Sequence, residues 1–265
     1  MSDVVLRSIE DGVAVLTLNR PDRLNAWTRE MEHDYFQALE ECGADEEVRV
    51  IVVTGAGRGF CAGADMGDLQ ALGSGGVELP ESDGRRQQSF PRSIPKPVIA
   101  AINGAVAGIG LVQALMCDLR FAAAGAKFTT AFARRGLVAE HGISWILPRL
   151  VGPARALDLL LSGRIVLAEE AAELGLVNRV VAPEALMDET LAYARDLAAN
   201  CSPASMAAMK AQVYADLDRD ADTALAEANR LMVESFTRDD FREGVASFVE
   251  RRPPAFAPLG GAPVR

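Results

Sequence analysis

Two stretches rich in glycine and alanine have the composition of turns that could bind a carbonyl oxygen. They are residues 59–66 (GFCAGADM) and residues 103–110 (NGAVAGIG), and each follows a run of apolar residues. Small side chains let a ligand approach the backbone closely. The first N–H groups of a helix have no partner within it, and the helix dipole gives them partial positive charge. Two such turns that face each other would form an oxyanion hole.

A purely structural interpretation of either turn stays open, because glycine also lets a helix pack tightly on a strand. Other common chemical signatures are missing from the sequence. The two histidines, His33 and His141, have no partner at metal-ligand spacing, which excludes a multi-histidine metal site. There is no P-loop pattern, and the four cysteines form no CxxC pair. We expect no metal and no cofactor, and we expect free thiols in a reducing compartment.

The composition excludes several classes of function. The chain has 265 residues, and 27 Lys and Arg against 37 Asp and Glu give a net charge of −10. This balance argues against a nucleic-acid partner. No apolar stretch is long enough to span a bilayer, and the first residues lack the basic start and apolar core of a signal peptide. We therefore expect a cytoplasmic protein with no membrane partner.

The elements that must position the two turns follow from the apolar pattern. A hairpin and a series of apolar, largely β-branched runs predict strands at residues 4–6, 13–18, 49–54, 97–102 and 118–122. A helix is predicted from about Thr28, and further helices separate the later strands. Strands that alternate with helices predict an α/β fold.

The end of the chain has a different pattern. After about Cys201 the strand signals stop, and helices are predicted at 204–214, 221–236 and 240–250. We therefore expect a core over residues 1–200 and a helical region over 201–265. Residues 73–88, rich in glycine and charge, are predicted to form a surface loop that could cover the site.

Several motifs together resemble the enoyl-CoA hydratase/isomerase (crotonase) family. Residues 57–66 resemble its first signature, and residues 97–104 with the segment up to Asp118 resemble its second. Residues 19–26 (NRPDRLNA) resemble its early acyl-CoA-binding segment, and residues 175–181 its later turn. The four motifs follow one another in the order of the family, over about residues 5–255.

The resemblance implies a spiral of repeated ββα units with a C-terminal helical region that builds homotrimers, often paired into homohexamers. It implies an acyl-CoA thioester as substrate, with coenzyme A entering only as part of that substrate. By position, the oxyanion donors would be the backbone N–H groups of Ala64 and Ile109. Substrate and CoA contacts would come from Arg23, Leu24, Ala26, Ala62, Asp65, Met66, Gly108, Val112, Phe132 and Arg252. For Asp65 the contact would be through the backbone, since its carboxylate would repel a phosphate; for Arg252, or Arg251, the alternative is a solvated basic tail.

The sequence departs from the family at the positions that handle water. Hydratases of the family use two glutamates, and the matching positions here hold Val112 and Phe132. Neither side chain can activate water or move a proton. Glu140 stands where double-bond-shifting dienoyl-CoA isomerases carry an acid, so it is the candidate proton-transfer residue. Alternatives stay open: Glu140 pairs with an arginine (Arg134, Arg135 or Arg149) at the surface, or His141 carries the proton.

Three functions follow from these residues. The first is an enzyme of the enoyl-CoA hydratase/isomerase type that stabilises a thioester enolate, with one-base isomerase chemistry favoured over hydration. The second is a catalytically impaired acyl-CoA-binding protein that kept the oxyanion hole but lost the glutamates. The third, an RNA-binding relative, is disfavoured by the negative charge. Asp118, next to Cys117, is expected to have a structural role.

Overall fold

The structure of the protein is a computed structural model that describes residues 3–74 and 86–259. Most of the predicted surface loop at 73–88 lies outside the described residues, as do the last six residues. The described strands are β1 (Val5–Glu10), β2 (Val13–Leu18), β3 (Val50–Gly55), β4 (Gly59–Cys61), β5 (Val98–Ile102), β6 (Ala105–Ala107), β7 (Leu119–Ala123), β8 (Lys127–Thr129), β9 (Val166–Leu167) and β10 (Arg179–Val181). The described helices are α1 (Arg29–Ala44), α2 (Met66–Gly73), α3 (Ile109–Met116), α4 (Ile143–Val151), α5 (Pro153–Ser162), α6 (Ala168–Leu174), α7 (Leu186–Asn200), α8 (Pro203–Asp216), α9 (Ala221–Ser235) and α10 (Asp239–Glu250).

A six-stranded sheet forms the centre of the fold, in the order β1-β2-β3-β5-β7-β10. The first pair is antiparallel, and the other neighbours are parallel. Every residue of β3 and of β5 is buried, as expected for strands covered on both faces. The predicted N-terminal hairpin and the three predicted central strands are therefore confirmed.

A second sheet of short strands, in the order β4-β6-β8-β9, stands beside the first. The chain alternates between the two sheets: β3 and β4 precede α2, β5 and β6 precede α3, and β7 and β8 precede α4. This alternation is the repeated ββα unit that the resemblance implies, and it confirms the predicted α/β fold. The sequence pattern places residues 59–61 and 105–107 in turns, because three-residue strands carry too little pattern to be recognised.

Helix α1 begins where the sequence predicts, since the Thr28 hydroxyl accepts a hydrogen bond from the Met31 amide at 3.2 Å and caps the helix. The C-terminal helices α8, α9 and α10 follow α7 without further strands in the described residues. No helix in the described part of the chain is both long and apolar enough to cross a membrane.

Helix α8 is fixed to the sheet through Asp118. Its carboxylate accepts hydrogen bonds from the Val98 amide at 2.7 Å and the Tyr214 hydroxyl at 2.8 Å, and it pairs with the Lys210 ammonium at 2.7 Å. The Lys210 ammonium also donates to the carbonyls of Pro91 and Lys96, each at 3.0 Å. These contacts give Asp118 the structural role that the sequence predicts.

Candidate active site

The two glycine-rich turns lie side by side because the strands that lead into them are neighbours. Strands β4 and β6 are parallel, with Gly59 opposite Ala105 and Cys61 opposite Val106. A Cβ atom on Gly63 would lie 3.2 Å from the Ala107 carbonyl oxygen, and both Gly63 (φ 102°) and Gly108 (φ 50°) have left-handed backbone. Glycine at these positions therefore provides both the backbone conformation and the close approach of the turns.

Each turn presents one backbone N–H group without an acceptor. Ile109 is the first residue of α3, so its amide has no partner within the helix. Among the described residues, the amides of Ala64 and Ile109 donate no hydrogen bond. Both residues line the same cavity. Two unpaired N–H groups, one from each turn, therefore belong to residues on the wall of one cavity.

The first turn is held by backbone bonds to the segment before α1. The Trp27 amide donates to the Gly63 carbonyl at 2.8 Å, and the Asp65 amide donates to the Trp27 carbonyl at 3.0 Å. These two bonds flank Ala64 and leave its own amide unpaired. The buried Asn25 side chain donates to the Gly59 carbonyl at 2.8 Å and so anchors the start of β4.

The Asp65 carboxylate is engaged by a cation and by the start of helix α2. The Arg20 guanidinium lies 3.1 Å from its Oδ2 through two nitrogens, and the Gly67 amide donates to its Oδ1 at 2.9 Å. The hydrogen bond from Gly67, and then that from Arg20, hold the pKa of Asp65 below its usual value. The carboxylate of Asp65 thus fixes the turn, as do its backbone amide, which donates to the Trp27 carbonyl, and its carbonyl, which accepts from the Leu69 amide.

A cavity of about 280 Å³ opens in front of the two unpaired amides. Ten of the residues predicted from sequence line it, and they are Arg23, Ala26, Ala62, Ala64, Asp65, Met66, Gly108, Ile109, Phe132 and Glu140. Residues from five separate segments of the sequence thus meet at one site.

Three of the predicted contact residues are not on the wall of this cavity. Val112 is fully buried in helix α3. Leu24 instead accepts a hydrogen bond from the Ala62 amide at 3.0 Å, so its backbone supports the turn. Arg252, beyond α10, pairs with Glu243 and with Glu250, the latter at 2.6 Å.

Glu140 and His141 face the cavity from the loop before α4. Glu140 Oε2 lies 3.5 Å from His141 Nε2, and one third of the Glu140 side chain is exposed. The three arginines expected as alternative partners bind elsewhere: Arg134 to the Ser162 carbonyl, Arg135 to the Ala131 carbonyl, and Arg149 to Asp218. The acid that lines the cavity is therefore not neutralised by any of these arginines.

The backbone around the cavity is strained. Ala131 (φ 60°) and His141 (φ 57°) both adopt left-handed backbone that favours glycine, and both line the cavity. Leu24 and Asn25, which support the first turn, do the same. Strain of this kind persists where the surrounding structure holds it, and it is concentrated at functional sites.

The cysteines provide no nucleophile at this site. Cys42, Cys61 and Cys117 are buried free thiols, and Cys201 is half-buried. Burial raises the pKa of Cys61, beside the first turn, to about 12, so it stays a thiol at neutral pH. In the described residues, no three His, Cys, Asp or Glu side chains come together as a metal site would require.

Comparison with known proteins decides the family. The family model for enoyl-CoA hydratase/isomerase matches residues 8–258. The chain belongs to this family. It is 38% identical over 260 residues to a 1,2-epoxyphenylacetyl-CoA isomerase of Escherichia coli, with 97% of this chain and 99% of the relative covered. It is 41% identical over 248 residues to a probable enoyl-CoA hydratase of Rhodobacter capsulatus, with 94% of this chain and 95% of the relative covered.

The fold of this enoyl-CoA hydratase/isomerase family member matches that of solved relatives. A probable enoyl-CoA hydratase/isomerase from Mycobacterium abscessus superimposes with a TM-score of 0.88 at 33% identity, over 96% of this chain and 99% of that structure. The names of the relatives include both hydratases and an isomerase, so membership of the family alone does not choose between water addition and isomerisation.

The structure also contains supporting residues that the sequence did not reveal. Arg20, Asn25 and Trp27 hold the first turn, but they fall in a loop without periodic pattern. The one available signal was their position inside the segment 19–26, or just after it, that resembles the family. That signal marked the segment as ligand-binding and gave no indication that its side chains brace a neighbouring turn.

Proposed function

We propose that the protein binds an acyl-CoA thioester and stabilises the enolate formed from it, with the Ala64 and Ile109 amides as the oxyanion donors. The observation that supports this most strongly is the pair of unpaired amides on adjoining turns that line one cavity. Negative charge develops on the thioester oxygen when a proton leaves the α-carbon. A donor of this type is worth about 2.7–4 kcal/mol in the transition state.

Glu140 is proposed as the proton-transfer residue. Its carboxylate would take a proton from one carbon of the acyl chain and return it to another, so the double bond moves and no water is consumed. Asp65 is the other acid among the described residues of the cavity wall, and it is occupied by Arg20 and the Gly67 amide. This difference supports Glu140 as the carboxylate for this step.

Isomerisation is favoured over hydration because the paired-carboxylate route lacks both of its groups. Phe132 lies in the cavity wall as an apolar side chain, and Val112 is fully buried and does not line the cavity. Neither can orient or deprotonate water. The E. coli relative, which carries the name of an isomerase, supports this choice, and the R. capsulatus relative, named as a hydratase, supports the alternative.

The CoA portion is proposed to enter along Arg23, Ala26, Ala62, Asp65 and Met66. Arg23 and Met66 are exposed at the rim of the cavity, which suits a channel that starts at the surface. Arg252 lies apart from this rim, and its guanidinium is bound by Glu243 and Glu250. A phosphate contact at Arg252, from this chain or from a neighbouring copy, would have to displace those carboxylates.

A catalytically impaired acyl-CoA-binding protein is the second candidate. The observation in its favour is the replacement of both hydratase glutamates, by Val112 and Phe132. Such a protein would bind acyl-CoA through the same two amides and the same channel. It would differ from the first candidate only in having no turnover, so the two are separated by a rate measurement.

The test is a panel of acyl-CoA substrates followed by absorbance and by mass spectrometry of the products. Crotonyl-CoA reports hydration, while 3-enoyl-CoA and dienoyl-CoA report isomerisation. We expect binding of all three, and turnover of a 3-enoyl or dienoyl substrate that exceeds hydration of crotonyl-CoA. Fast hydration of crotonyl-CoA would overturn the isomerase assignment, and tight binding without any turnover would favour the impaired protein.

We also propose that residues 201–265 form the oligomerisation region, as a trimer or a hexamer. The support comes from apolar side chains that this region leaves in solvent. Phe248 is 85% exposed and Val249 73% exposed in α10, and Leu225 and Val233 are exposed in α9. Exposed apolar surface of this extent marks an interaction site. Sedimentation equilibrium of the purified protein measures the number of copies directly.

A further inference from the structure

A second cavity adjoins the candidate active site. It has a volume of about 590 Å³, and its lining includes Arg86, Gln88, Ser89, Arg92 and Trp145. His141 lies on the wall of both cavities. An acyl group that extends from the thioester carbon past His141 would therefore enter this space.

Arg92 is held in this second cavity by aromatic rings, and no acid among the described residues pairs with it. Its guanidinium carbon lies 4.3 Å from the ring centre of Trp145 and 4.3 Å from that of Tyr214. Its Nε is buried without a hydrogen-bond partner, and the guanidinium forms no ion pair with any described residue. Stacking fixes the plane of the guanidinium but leaves its donors unused.

The acids near Arg92 already have other partners. Asp118 is bound by Lys210, Tyr214 and the Val98 amide. Asp218 pairs with Arg149 at 3.2 Å. The other arginine of the cavity, Arg86, is paired with Glu40. Arg92 is thus a cation on a cavity wall whose charge these neighbours do not balance by contact.

Burial has a measurable electrostatic consequence for Arg92. Loss of hydration is the largest cause that lowers its pKa, although the guanidinium remains charged at neutral pH. A desolvated cation without a contact partner is stabilised by any carboxylate that reaches it, and a planar guanidinium matches a carboxylate with two parallel hydrogen bonds. A hydrocarbon tail in the same space would exclude water and offer no acceptor.

We propose that the second cavity holds the far end of the acyl group, and that Arg92 recognises a carboxylate there. The substrate class would then be the CoA monothioester of a dicarboxylic acid, with one carboxyl group in the thioester and the other free. This inference rests on the proposed function for the position of the thioester. Ser89, on the same wall, offers a further polar contact to the bound carboxylate.

The test is an affinity comparison that needs no turnover. Dissociation constants are measured by calorimetry for glutaryl-, adipyl- and pimelyl-CoA, each beside the neutral acyl-CoA with the same number of carbon atoms. For at least one chain length we expect the dicarboxylic thioester to bind about tenfold or more tightly, since hydrogen bonds between charged groups are worth that much. Equal or weaker binding of all three dicarboxylic thioesters overturns the inference.

Variants assign the preference to Arg92. Arg92→Met is expected to reduce the ratio of the two affinities to near one, and Arg92→Lys to reduce it partly, because the charge remains and the planar donor pair is lost. Arg155→Met removes the same charge from an exposed arginine that lines neither cavity, and it should keep the ratio of the wild type. A ratio unaffected by Arg92→Met contradicts the assignment.

A second pair of variants covers the case in which loss of Arg92 unfolds the protein. Ser89→Asp places a carboxylate on the wall of the second cavity, where it would compete for Arg92 and repel a ligand carboxylate. Ser89→Asp should abolish the preference for dicarboxylic thioesters. Asparagine has the shape of aspartate without its charge, so Ser89→Asn should weaken the preference less. Equal affinity ratios for the two variants would count against the inference. If neutral acyl-CoAs bind and dicarboxylic ones bind no better, only this inference fails. If no acyl-CoA binds at all, the proposed function fails with it.

Discussion

Arg20 and Asp65 form an ion pair that connects the segment before α1 to the first glycine-rich turn. Two guanidinium nitrogens of Arg20 lie 3.1 Å from the same Asp65 oxygen, and a third hydrogen bond from Arg20 reaches the Ala26 carbonyl at 2.6 Å. Ala26 and Asp65 both line the candidate active site. The pair therefore fixes two parts of the cavity wall relative to each other.

The first prediction concerns the pH dependence of this pair. The pKa of Asp65 is lower in the folded protein than in the unfolded chain. The ionised carboxylate therefore stabilises the fold at pH values above the pKa that Asp65 has in the unfolded chain. This stabilisation is lost as the pH falls through the pKa that Asp65 has in the folded protein. Asp65→Asn should therefore reduce the unfolding free energy at pH 7, and the difference from wild type should shrink towards about pH 3. Urea unfolding at the two pH values measures it.

Asp188→Asn is the matched control, because Asp188 is exposed and forms no ion pair with the described residues. It should change the unfolding free energy little at either pH. A constant difference between Asp65→Asn and wild type from pH 7 down to pH 3 would show that the charge of Asp65 plays no part.

The second prediction concerns Glu140. Glu140→Gln keeps the size of the side chain and removes its ability to accept a proton, so kcat should fall by about 10²- to 10⁴-fold, while the dissociation constant for a saturated acyl-CoA should change only slightly. Steady-state kinetics and calorimetry on the same preparation give both quantities. Glu173→Gln, at an exposed site away from the cavity, should behave as wild type. Full turnover by Glu140→Gln would remove Glu140 from the mechanism.

The third prediction concerns the contact between α3 and β4. A Cβ atom on Gly110 would lie 2.5 Å from the Cys61 carbonyl oxygen and 2.7 Å from the Cys61 Cβ. Gly110→Ala should therefore displace the start of α3 and reduce the unfolding free energy by about 1–3 kcal/mol. Because Ile109 precedes Gly110, kcat/KM should fall as well.

Gly244→Ala in α10 serves as the comparison for Gly110→Ala. Its added Cβ would meet Phe256 at 3.7 Å, an ordinary contact, and alanine is the better helix former. We expect it to be neutral or slightly stabilising in thermal unfolding. If the two variants unfold alike, the close contact between α3 and β4 does not constrain the fold.

The fourth prediction concerns the structural role of Asp118. Asp118→Asn leaves the buried Lys210 ammonium without its carboxylate partner, and removing one partner of a buried pair costs about 3–5 kcal/mol. Asp218→Asn breaks the exposed pair with Arg149 and should cost about 0–1 kcal/mol. Chemical denaturation of both variants gives the comparison, and equal small losses would contradict the structural role of Asp118.

The part of the fold that the sequence predicts well is the part with a strong local pattern. Strand β3 is a run of β-branched residues bounded by glycine, and a fully buried strand has that composition. The second sheet was not predicted because its strands are two or three residues long and are held by pairing with distant neighbours. Such pairing is a property of the tertiary fold.

The candidate site also has a part that the sequence predicts and a part that it does not. The glycine-rich turns before Ala64 and Ile109 could be located from residue type and spacing, and they adjoin in the structure. The contacts of Arg20 with Asp65 and of Arg92 with Trp145 could not be predicted, since each joins residues 45 or more positions apart in the sequence. Side chains of this kind acquire their role only when the chain has folded.

The most direct test of the central claim is the infrared carbonyl stretching frequency of a thioester bound to the protein. Proline is well tolerated at the first position of a helix and has no N–H group, so Ile109→Pro deletes one proposed oxyanion donor, and Ile109→Val keeps it. We predict that binding lowers the frequency in the wild type and in Ile109→Val, and lowers it less in Ile109→Pro. A frequency equal to that of the free thioester in the wild type, or equal shifts in the two variants, would contradict the proposed oxyanion hole.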